Sequence, residues 1–180
     1  AVYPAQAFTL YATTNYTYDS EGNLVETKDA KNNVTTIQYD KLGRKVSMTD
    51  PDMGRWQYGY DASGNLAWQI DAKNQRIDFQ YDEINRLLNK NNGAALNVNY
   101  TYDELTADNT QGRLYKAQYG VNDQTRFFYD VRGREVQSRK RIDGTEYAAV
   151  RSYDALDRLK SVVYPEGKEV FYTYNDAGQM

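Results

Sequence analysis

The sequence contains no cysteine and no histidine, and only 3 of its 180 residues are proline. The lack of cysteine excludes disulfides and thiolate metal sites, and the lack of histidine removes the commonest general base and the commonest metal ligand. Lysine and arginine are scattered along the chain with no basic block, and the formal net charge is −3. Because phosphate binding needs a concentrated positive surface, we expect no nucleic-acid partner.

Long apolar stretches are also absent. No run is long enough to cross a bilayer, and residues 1–10 lack the charged and apolar regions of a signal peptide. We therefore expect no membrane insertion by this segment and no targeting signal within it. Leu, Ile, Val and Phe are scarce, which usually indicates disorder. The 18 tyrosines compensate, because each combines a large apolar ring with a hydroxyl that tolerates water.

A Tyr-Asp pair recurs along the chain and is usually followed by Gly and then by Arg or Asn. The first five copies are 21 residues apart. A fixed period of this length indicates a repeat array, in which each unit rests on its neighbours and function belongs to the whole array. The motif tyrosines are Tyr18, Tyr39, Tyr60, Tyr81, Tyr102, Tyr129, Tyr153 and Tyr174.

The residues around each motif predict a β-hairpin. Before the motif, aromatic or branched side chains alternate with polar ones, as in a strand with one covered face. The residue after Tyr opens a turn, because its side chain accepts backbone N–H groups; these residues are Asp19, Asp40, Asp61, Asp82, Asp103, Asp130, Asp154 and Asn175. Near the end of the turn comes a residue type that tolerates positive φ, as a type I turn with a G1 bulge requires; these residues are Gly22, Gly43, Gly64, Asn85, Gly112, Gly133, Asp157 and Gly178.

This loop length also predicts the strand register. A three-residue loop places Tyr opposite the residue six positions later, which is Leu24, Lys45, Leu66, Leu87, Glu135, Leu159 or Met180. A second turn precedes the next motif, near Asp29, Asp50, Asp71, Asn92, Asp143 and Pro165. The predicted fold is therefore all-β, with antiparallel hairpin repeats that form one long sheet. Strand twist should curl this sheet into a spiral or an arc of a very wide barrel.

Two irregular copies give further predictions. In the fifth, Gly112 lies six residues later than the spacing requires, yet the distance from Gly112 to Tyr129 is normal, so the insertion should lie inside one hairpin turn. Three extra residues between Gly133 and Tyr153 should lengthen a hairpin that ends at Asp143-Gly144. We assign residues 1–15 to a partial repeat or lead-in strand and 16–180 to an array of about seven repeats of roughly 21–27 residues. The array stops within a hairpin, so we expect further repeats in the same polypeptide as its partners.

Phrases such as Tyr18-Asp19-Ser20-Glu21-Gly22-Asn23-Leu24 and Tyr39-Asp40-Lys41-Leu42-Gly43-Arg44 resemble YD repeats, also called RHS repeats. Such repeats occur in bacterial Rhs polymorphic toxins, in the B and C components of Tc toxins, in wall-associated proteins and in animal teneurins. The resemblance implies a spiral sheet that forms an arc of a hollow shell. In the toxins the shell encloses a C-terminal toxin or effector polypeptide. It also implies a secreted, injected or cell-surface protein, most often bacterial.

The candidate site residues have structural as well as functional interpretations. The motif carboxylates could be catalytic or bind calcium, but their recurrence in every unit favours a role in the turn. Trp56 and Trp68 are candidates for stacking on a glycan ring, which leaves an adhesion or carbohydrate-binding module, with glycans or a cell-surface receptor as partner, as the alternative function. The arginines that follow the positive-φ residue either line an anionic groove or pair with neighbouring rings and the turn Asp; they are Arg44, Arg86, Arg113, Arg134 and Arg158. No nucleophile elbow or phosphate loop is present, so we expect no enzyme activity, no cofactor and no metal.

Overall fold

The computed structural model describes residues 12–93, 97–107 and 109–180. It is an open sheet of fifteen antiparallel strands in chain order, which confirms the predicted all-β fold of hairpin repeats. None of the described residues forms a helix long and apolar enough to cross a bilayer. The strands are β1 (Asn15–Tyr18), β2 (Leu24–Lys28), β3 (Val34–Tyr39), β4 (Lys45–Asp50), β5 (Gly54–Tyr60), β6 (Leu66–Ile70), β7 (Arg76–Tyr81), β8 (Leu87–Asn91), β9 (Asn97–Tyr102), β10 (Leu114–Tyr119), β11 (Asp123–Tyr129), β12 (Glu135–Ile142), β13 (Thr145–Tyr153), β14 (Leu159–Val163) and β15 (Glu169–Phe171).

The chain divides into two compact units, residues 1–78 and 79–180. Of the predicted lead-in segment 1–15, residues 1–11 lie outside the described residues, and β1 begins at Asn15. Each unit consists of consecutive hairpins, as the turn residues predict.

Cross-strand pairs sort the side chains of the first unit onto two faces, because paired residues of an antiparallel sheet point to the same side. One face, which we call the tyrosine face, carries Ile37, Tyr39, Met48, Trp56, Tyr58, Tyr60 and Leu66. The other, which we call the polar face, carries Thr36, Gln38, Ser47, Thr49, Arg55 and Gln57. The aromatic side chains of β3 and β5 therefore lie on one side of the sheet.

A β-bulge interrupts the return strand after the motif. Tyr39 pairs with Lys45 and Gln38 pairs with Ser47, which leaves Val46 without a partner in β3. The pairing of Tyr with the residue six positions later is the predicted register. The same shift accompanies Tyr18, Tyr60, Tyr129 and Tyr153. Each bulge inverts the alternation of faces along the rest of its strand.

The second unit buries a few small side chains on its tyrosine face. Val98 is 3% exposed and pairs with Tyr119, and Ala117, also 3% exposed, pairs with Tyr100. Small aliphatic residues therefore lie beside large rings. In a sheet poor in Leu and Ile, tyrosine rings thus contribute to the packing around the few buried aliphatic side chains.

Both irregular repeats have the predicted structure. In the fifth copy, Tyr102 pairs with Leu114 across the insertion, so the added residues lie within the turn. Inside that turn the hydroxyl of Thr110 is buried and donates to the carbonyl of Glu104 at 2.7 Å. The extra residues between Gly133 and Tyr153 lengthen β12 and β13, which meet at Asp143-Gly144 with φ values of 47° and 83°. Positive φ at both positions is the geometry of a two-residue type I′ turn.

One turn was not predicted. It joins β10 to β11 and contains Gly120, whose φ is 59° and whose N–H donates to the carbonyl of Asn97 at 2.9 Å. The Gly-Val-Asn-Asp sequence at this position carries the usual turn residues.

Candidate functional site

The recurring element of the molecule is the turn that follows each motif tyrosine. We call it the motif turn: the five residues from Asp, or Asn175, to the Arg, Asn or Gln at its end. In the motif turn 40–44, the N–H of Gly43 donates to the carbonyl of Asp40 at 3.0 Å, and the N–H of Asp40 donates to the carbonyl of Arg44 at 2.9 Å. The Oδ1 of Asp40 accepts the N–H groups of Leu42 and Arg44 at 2.9 and 3.0 Å. The carboxylate therefore satisfies backbone donors of its own turn.

The positive-φ position of the motif turn is left-handed in every copy. The φ values are 87° for Gly22, 73° for Gly43, 88° for Gly64, 63° for Asn85, 75° for Gly112, 80° for Gly133, 63° for Asp157 and 77° for Gly178. Together with the Asp40-type hydrogen bonds, this is a type I turn followed by a G1 bulge. Asn and Asp replace Gly at two positions because their short polar side chains tolerate the left-handed region.

The hydroxyl of a motif tyrosine forms a hydrogen bond to the repeat before it. The hydroxyl of Tyr60, for example, donates to the carbonyl of Lys45 at 2.8 Å, and Lys45 is the residue paired with the preceding motif tyrosine, Tyr39. The bulge interrupts the ladder next to this carbonyl, so the hydroxyl supplies a donor where regular pairing fails. The equivalent bonds join Tyr39 to Leu24 (3.0 Å), Tyr129 to Leu114 (2.7 Å), Tyr153 to Glu135 (2.8 Å) and Tyr174 to Leu159 (2.9 Å).

The arginine at the end of a motif turn forms a second link between repeats. Arg44 pairs with Asp40 of its own turn at 2.7 Å, and its guanidinium lies 4.6 Å from the ring centroid of Tyr60 in the next repeat. Both contacts that we considered for these arginines therefore occur together. The same pair of contacts joins Arg86 to Asp82 and Tyr102, Arg134 to Asp130 and Tyr153, and Arg158 to Asp154 and Tyr174.

Four motif turns depart from this arrangement. In the turn 175–179, Asn replaces Asp and donates through Nδ2 to Oε1 of Gln179 at 3.0 Å. In the turns 19–23 and 61–65, Asn replaces Arg and donates through Nδ2 to the turn Asp, at 2.9 Å in Asn23. In the turn with the insertion, Arg113 donates instead to the carbonyls of Asn109 and Gln111, while its guanidinium lies 5.8 Å from the ring of Tyr129. The ring contact is thus retained in the fifth repeat even though the contact with Asp is lost.

The surroundings fix the ionisation states of these groups. Hydrogen bonding to the Arg44 side chain, together with the backbone donors, holds the pKa of Asp40 below its ordinary value. Burial raises the pKa of Tyr60 and of Tyr153 above the ordinary value for tyrosine. Both directions favour an ionised Asp40 as acceptor and a protonated Tyr60 and Tyr153 as donors.

The hydrogen bonds and ring contacts of the motif turns indicate a role in joining one repeat to the next. Their carboxylates are engaged by backbone N–H groups and by the Arg or Asn at the end of the turn. Within the described ranges, no group of three or more Asp, Glu, His or Cys side chains could hold a metal ion.

The two tryptophans lie on opposite faces of the sheet. Trp56 is on the tyrosine face, stacks with Tyr58 at a centroid distance of 6.5 Å, and donates from Nε1 to the carbonyl of Met53. Trp68 is on the polar face, where it pairs with Gly59; a Cβ at Gly59 would lie 2.2 Å from the indole. The guanidinium of Arg76 lies 5.0 Å from the Trp68 ring. The tryptophans therefore do not form one stacking surface.

Sequence reasoning missed the hydroxyl links. It placed each tyrosine over the sheet but did not identify an acceptor for its hydroxyl. The signal that could have found them is the repeat spacing. The acceptor is the residue paired with the preceding motif tyrosine. Four of the five hydroxyl links therefore span 15 residues, and the link across the lengthened hairpin spans 18.

Comparison with known proteins gives the following matches. A family model described as Teneurin YD-shell matches residues 5–107. The crystal structure of TcdB2-TccC3-Cdc42 is similar in fold, with a TM-score of 0.77 and 18% identity over 93% of this chain and 10% of that chain. A structure of the Photorhabdus luminescens Tc holotoxin pore with a mutation in TccC3 has a TM-score of 0.68 and 17% identity over 92% of this chain and 9% of that chain. The chain thus spans about a tenth of the length of these proteins. No curated protein matches the sequence.

Proposed function

Because the chain belongs to the teneurin YD-shell family, we propose that it is a non-catalytic segment of a YD-repeat shell, which encloses a toxin or effector polypeptide within a larger bacterial protein. The whole protein would be secreted or injected, and the partners of this segment would be further repeats and the enclosed chain. The similarity in fold to the TcdB2-TccC3 structures supports this proposal.

The observation that carries the proposal is the hydroxyl link between consecutive repeats. A wall that retains a polypeptide must keep neighbouring hairpins in contact along its whole length. Backbone pairing does this between strands. The links from Tyr39, Tyr60, Tyr129, Tyr153 and Tyr174 each add a side-chain contact to a carbonyl beside a bulge. Such a sheet acts as a barrier without needing a reactive group.

The motif carboxylates support a non-catalytic role. General acid or base catalysis requires a carboxyl with an open position and, commonly, a raised pKa. In the motif turns the pKa of Asp19 is lowered, first by the side-chain hydrogen bond from Asn23, and that of Asp40 is lowered, first by the one from Arg44. These groups are stable anions inside turns.

Limited proteolysis of the full-length protein that contains this chain would test the proposal. We expect the enclosed polypeptide to resist protease within the shell and to be cleaved rapidly when it is produced alone. Replacement of Tyr60 and Tyr153 by Ala should expose it to protease, whereas replacement of Tyr58 should not.

Equal cleavage rates with and without the shell would contradict the container role. Saturable binding of a sugar that is lost on Trp68→Ala would assign the chain to the adhesion or carbohydrate-binding class. A glycan array with the wild-type chain and with this variant would measure such binding.

A further inference from the structure

Four cationic side chains come together on the polar face of the second unit. Lys116 in β10 pairs with Arg126 in β11, and Arg126 pairs with Arg139 in β12. Arg141 lies two residues beyond Arg139, so it points to the same face. We call Lys116, Arg126, Arg139 and Arg141 the basic patch. The sequence gives no sign of it, because its members lie on three different strands and meet only through strand pairing.

Acidic side chains do not balance this patch. Glu146 in β13 contacts two of its members: Oε2 lies 2.8 Å from Arg126 and Oε1 lies 3.7 Å from Arg139. Within the part of the chain that the structure describes, no other carboxylate forms a salt bridge with the patch. Glu104, which binds Thr106, lies within electrostatic reach of Lys116. Cations therefore remain in excess.

The arginines of the motif turns provide a contrast. Arg44 and Arg134 each have a turn aspartate of their own. In the basic patch, by contrast, like charges pair directly across strands, which is unfavourable. The Nε atom of Arg126 is buried and has no hydrogen-bond partner among the described residues. A buried donor without an acceptor is costly, and an external ligand cannot reach this atom. The excess of cations, with Glu146 as the carboxylate that pairs with Arg126 and Arg139, gives the patch the charge for an external anion.

We propose that the basic patch binds an acidic stretch of an extended polypeptide. Adjacent strands are about 4.8 Å apart, so the patch spans roughly 10 Å, which suits a few carboxylates on one side of an extended chain. Amide side chains flank it on the same face, at Gln118, Gln124 and Gln137. Gln124 can donate to and accept from a peptide backbone, whereas Gln137 already accepts from Nε of Arg139 and Gln118 donates to the carbonyl of Gly120.

A single-stranded nucleic acid fits this surface less well. Such ligands need aromatic faces on which bases can stack. Phe128 lies beside the patch on the same face. Its ring has the guanidinium of Arg139 at 5.0 Å, and an edge contact with Tyr115 at 6.3 Å between centroids. The proposal concerns a surface of this chain and does not depend on the container role.

Fluorescence anisotropy with the 180-residue chain tests the proposal. The probe is a labelled peptide of about twelve residues in which Glu alternates with Ser, so that all carboxylates lie on one side of an extended strand. We expect the peptide to bind and expect the double variant Arg126→Gln/Arg139→Gln to weaken binding by about tenfold or more, because charge-assisted hydrogen bonds are lost. Glu146→Gln should strengthen binding about two- to fivefold, because it removes a competing carboxylate.

Three controls make the result decisive. Arg55→Gln removes one charge from the polar face of the first unit and should change the affinity by less than about twofold. A peptide with Gln in place of Glu should not bind, and the double variant should melt no lower than the wild type, since it relieves like-charge pairing. Equal binding of the Gln peptide, equal loss in Arg55→Gln, or no gain in Glu146→Gln would overturn the proposal. Tighter binding of an oligothymidine of equal charge would overturn the assignment to a peptide.

Discussion

The motif turns and two of the connecting turns at the other end of the strands have the same internal structure. In the connecting turn 29–33, the N–H of Asp29 donates to the carbonyl of Asn33 and the N–H of Asn32 donates to the carbonyl of Asp29, both at 3.1 Å. Oδ1 of Asp29 accepts two backbone N–H groups, as Asp19 does in its motif turn. Asn32 and Asn74 have φ values of 65° and 58°. The turn 71–75 repeats this pattern.

The two kinds of turn differ in what they contact. The residue before a motif turn is a tyrosine, and the links described above join it to the preceding repeat. The residue before a connecting turn is Lys28 or Ile70. Turn chemistry therefore makes a hairpin, whereas the tyrosine in front of the turn, with the arginine behind it, joins hairpins into an array.

The largest expected effect comes from removing a motif tyrosine. Tyr60→Ala should lower the free energy of unfolding by about 3 kcal/mol, since it removes the ring and the hydroxyl link. Ile70→Ala, at the matching position before a connecting turn, should cost only about 1 kcal/mol because it removes a smaller side chain. Urea unfolding followed by circular dichroism measures both. Equal costs would remove the distinction between the two kinds of turn.

The positive-φ position, which both kinds of turn contain, should respond equally to mutation in either kind. Gly64→Val in a motif turn and Asn74→Val in a connecting turn both force a β-branched residue to positive φ, at a cost of about 1–3 kcal/mol each. Asn74→Gly serves as the control and should be nearly neutral. Thermal unfolding compares the three variants. A large loss in only one type of turn would show that the turns differ in backbone strain.

A smaller effect isolates the hydroxyl link. Tyr60→Phe keeps the ring and leaves the carbonyl of Lys45 without its donor, so we expect a loss of about 1 kcal/mol. Tyr58→Phe is the matched control, because the hydroxyl of Tyr58 has no hydrogen bond among the described residues, and its effect should stay within about 0.5 kcal/mol. The two urea midpoints should therefore separate; coinciding midpoints would mean that the link contributes nothing to stability.

The smallest effect per site concerns pH. The pKa of Asp40 is lowered in the folded chain, first by the hydrogen bond from the side chain of Arg44. Its contribution to stability is therefore fully present above about pH 5 and is lost as the pH falls through the lowered pKa. Arg44→Ala, which removes this side-chain donor, should weaken the dependence. The check is the difference in urea midpoint between about pH 7 and pH 3; an unchanged difference would contradict the assigned role of Arg44.

The sequence was sufficient to predict the local structure of the array. The spacing of Tyr, Asp and Gly gave the hairpins, the pairing of Tyr39 with Lys45 and the position of the insertion after Tyr102. Each of these depends on a few residues that are adjacent in the chain. The turn at Gly120 was the exception among the turns, although its residues carried the signal.

The features that the sequence could not predict are those that depend on how hairpins pack and on where the bulges lie. Strict alternation from Leu66 would place Trp68 on the tyrosine face, but the bulge at Ala67 moves it to the polar face. The contact of Arg44 with both Asp40 and Tyr60 needed the relative position of two hairpins. The basic patch needed the register of three strands, since no member precedes or follows another directly in the chain.

The hydroxyl link also has a direction. In every described case it runs from a tyrosine to a carbonyl that lies earlier in the chain, as from Tyr153 to Glu135. During synthesis the earlier residue leaves the ribosome first, so the acceptor of each new repeat has already been synthesised. Loss of a late repeat costs the earlier ones none of their hydroxyl bonds, whereas loss of an early repeat deprives the next one of its acceptor.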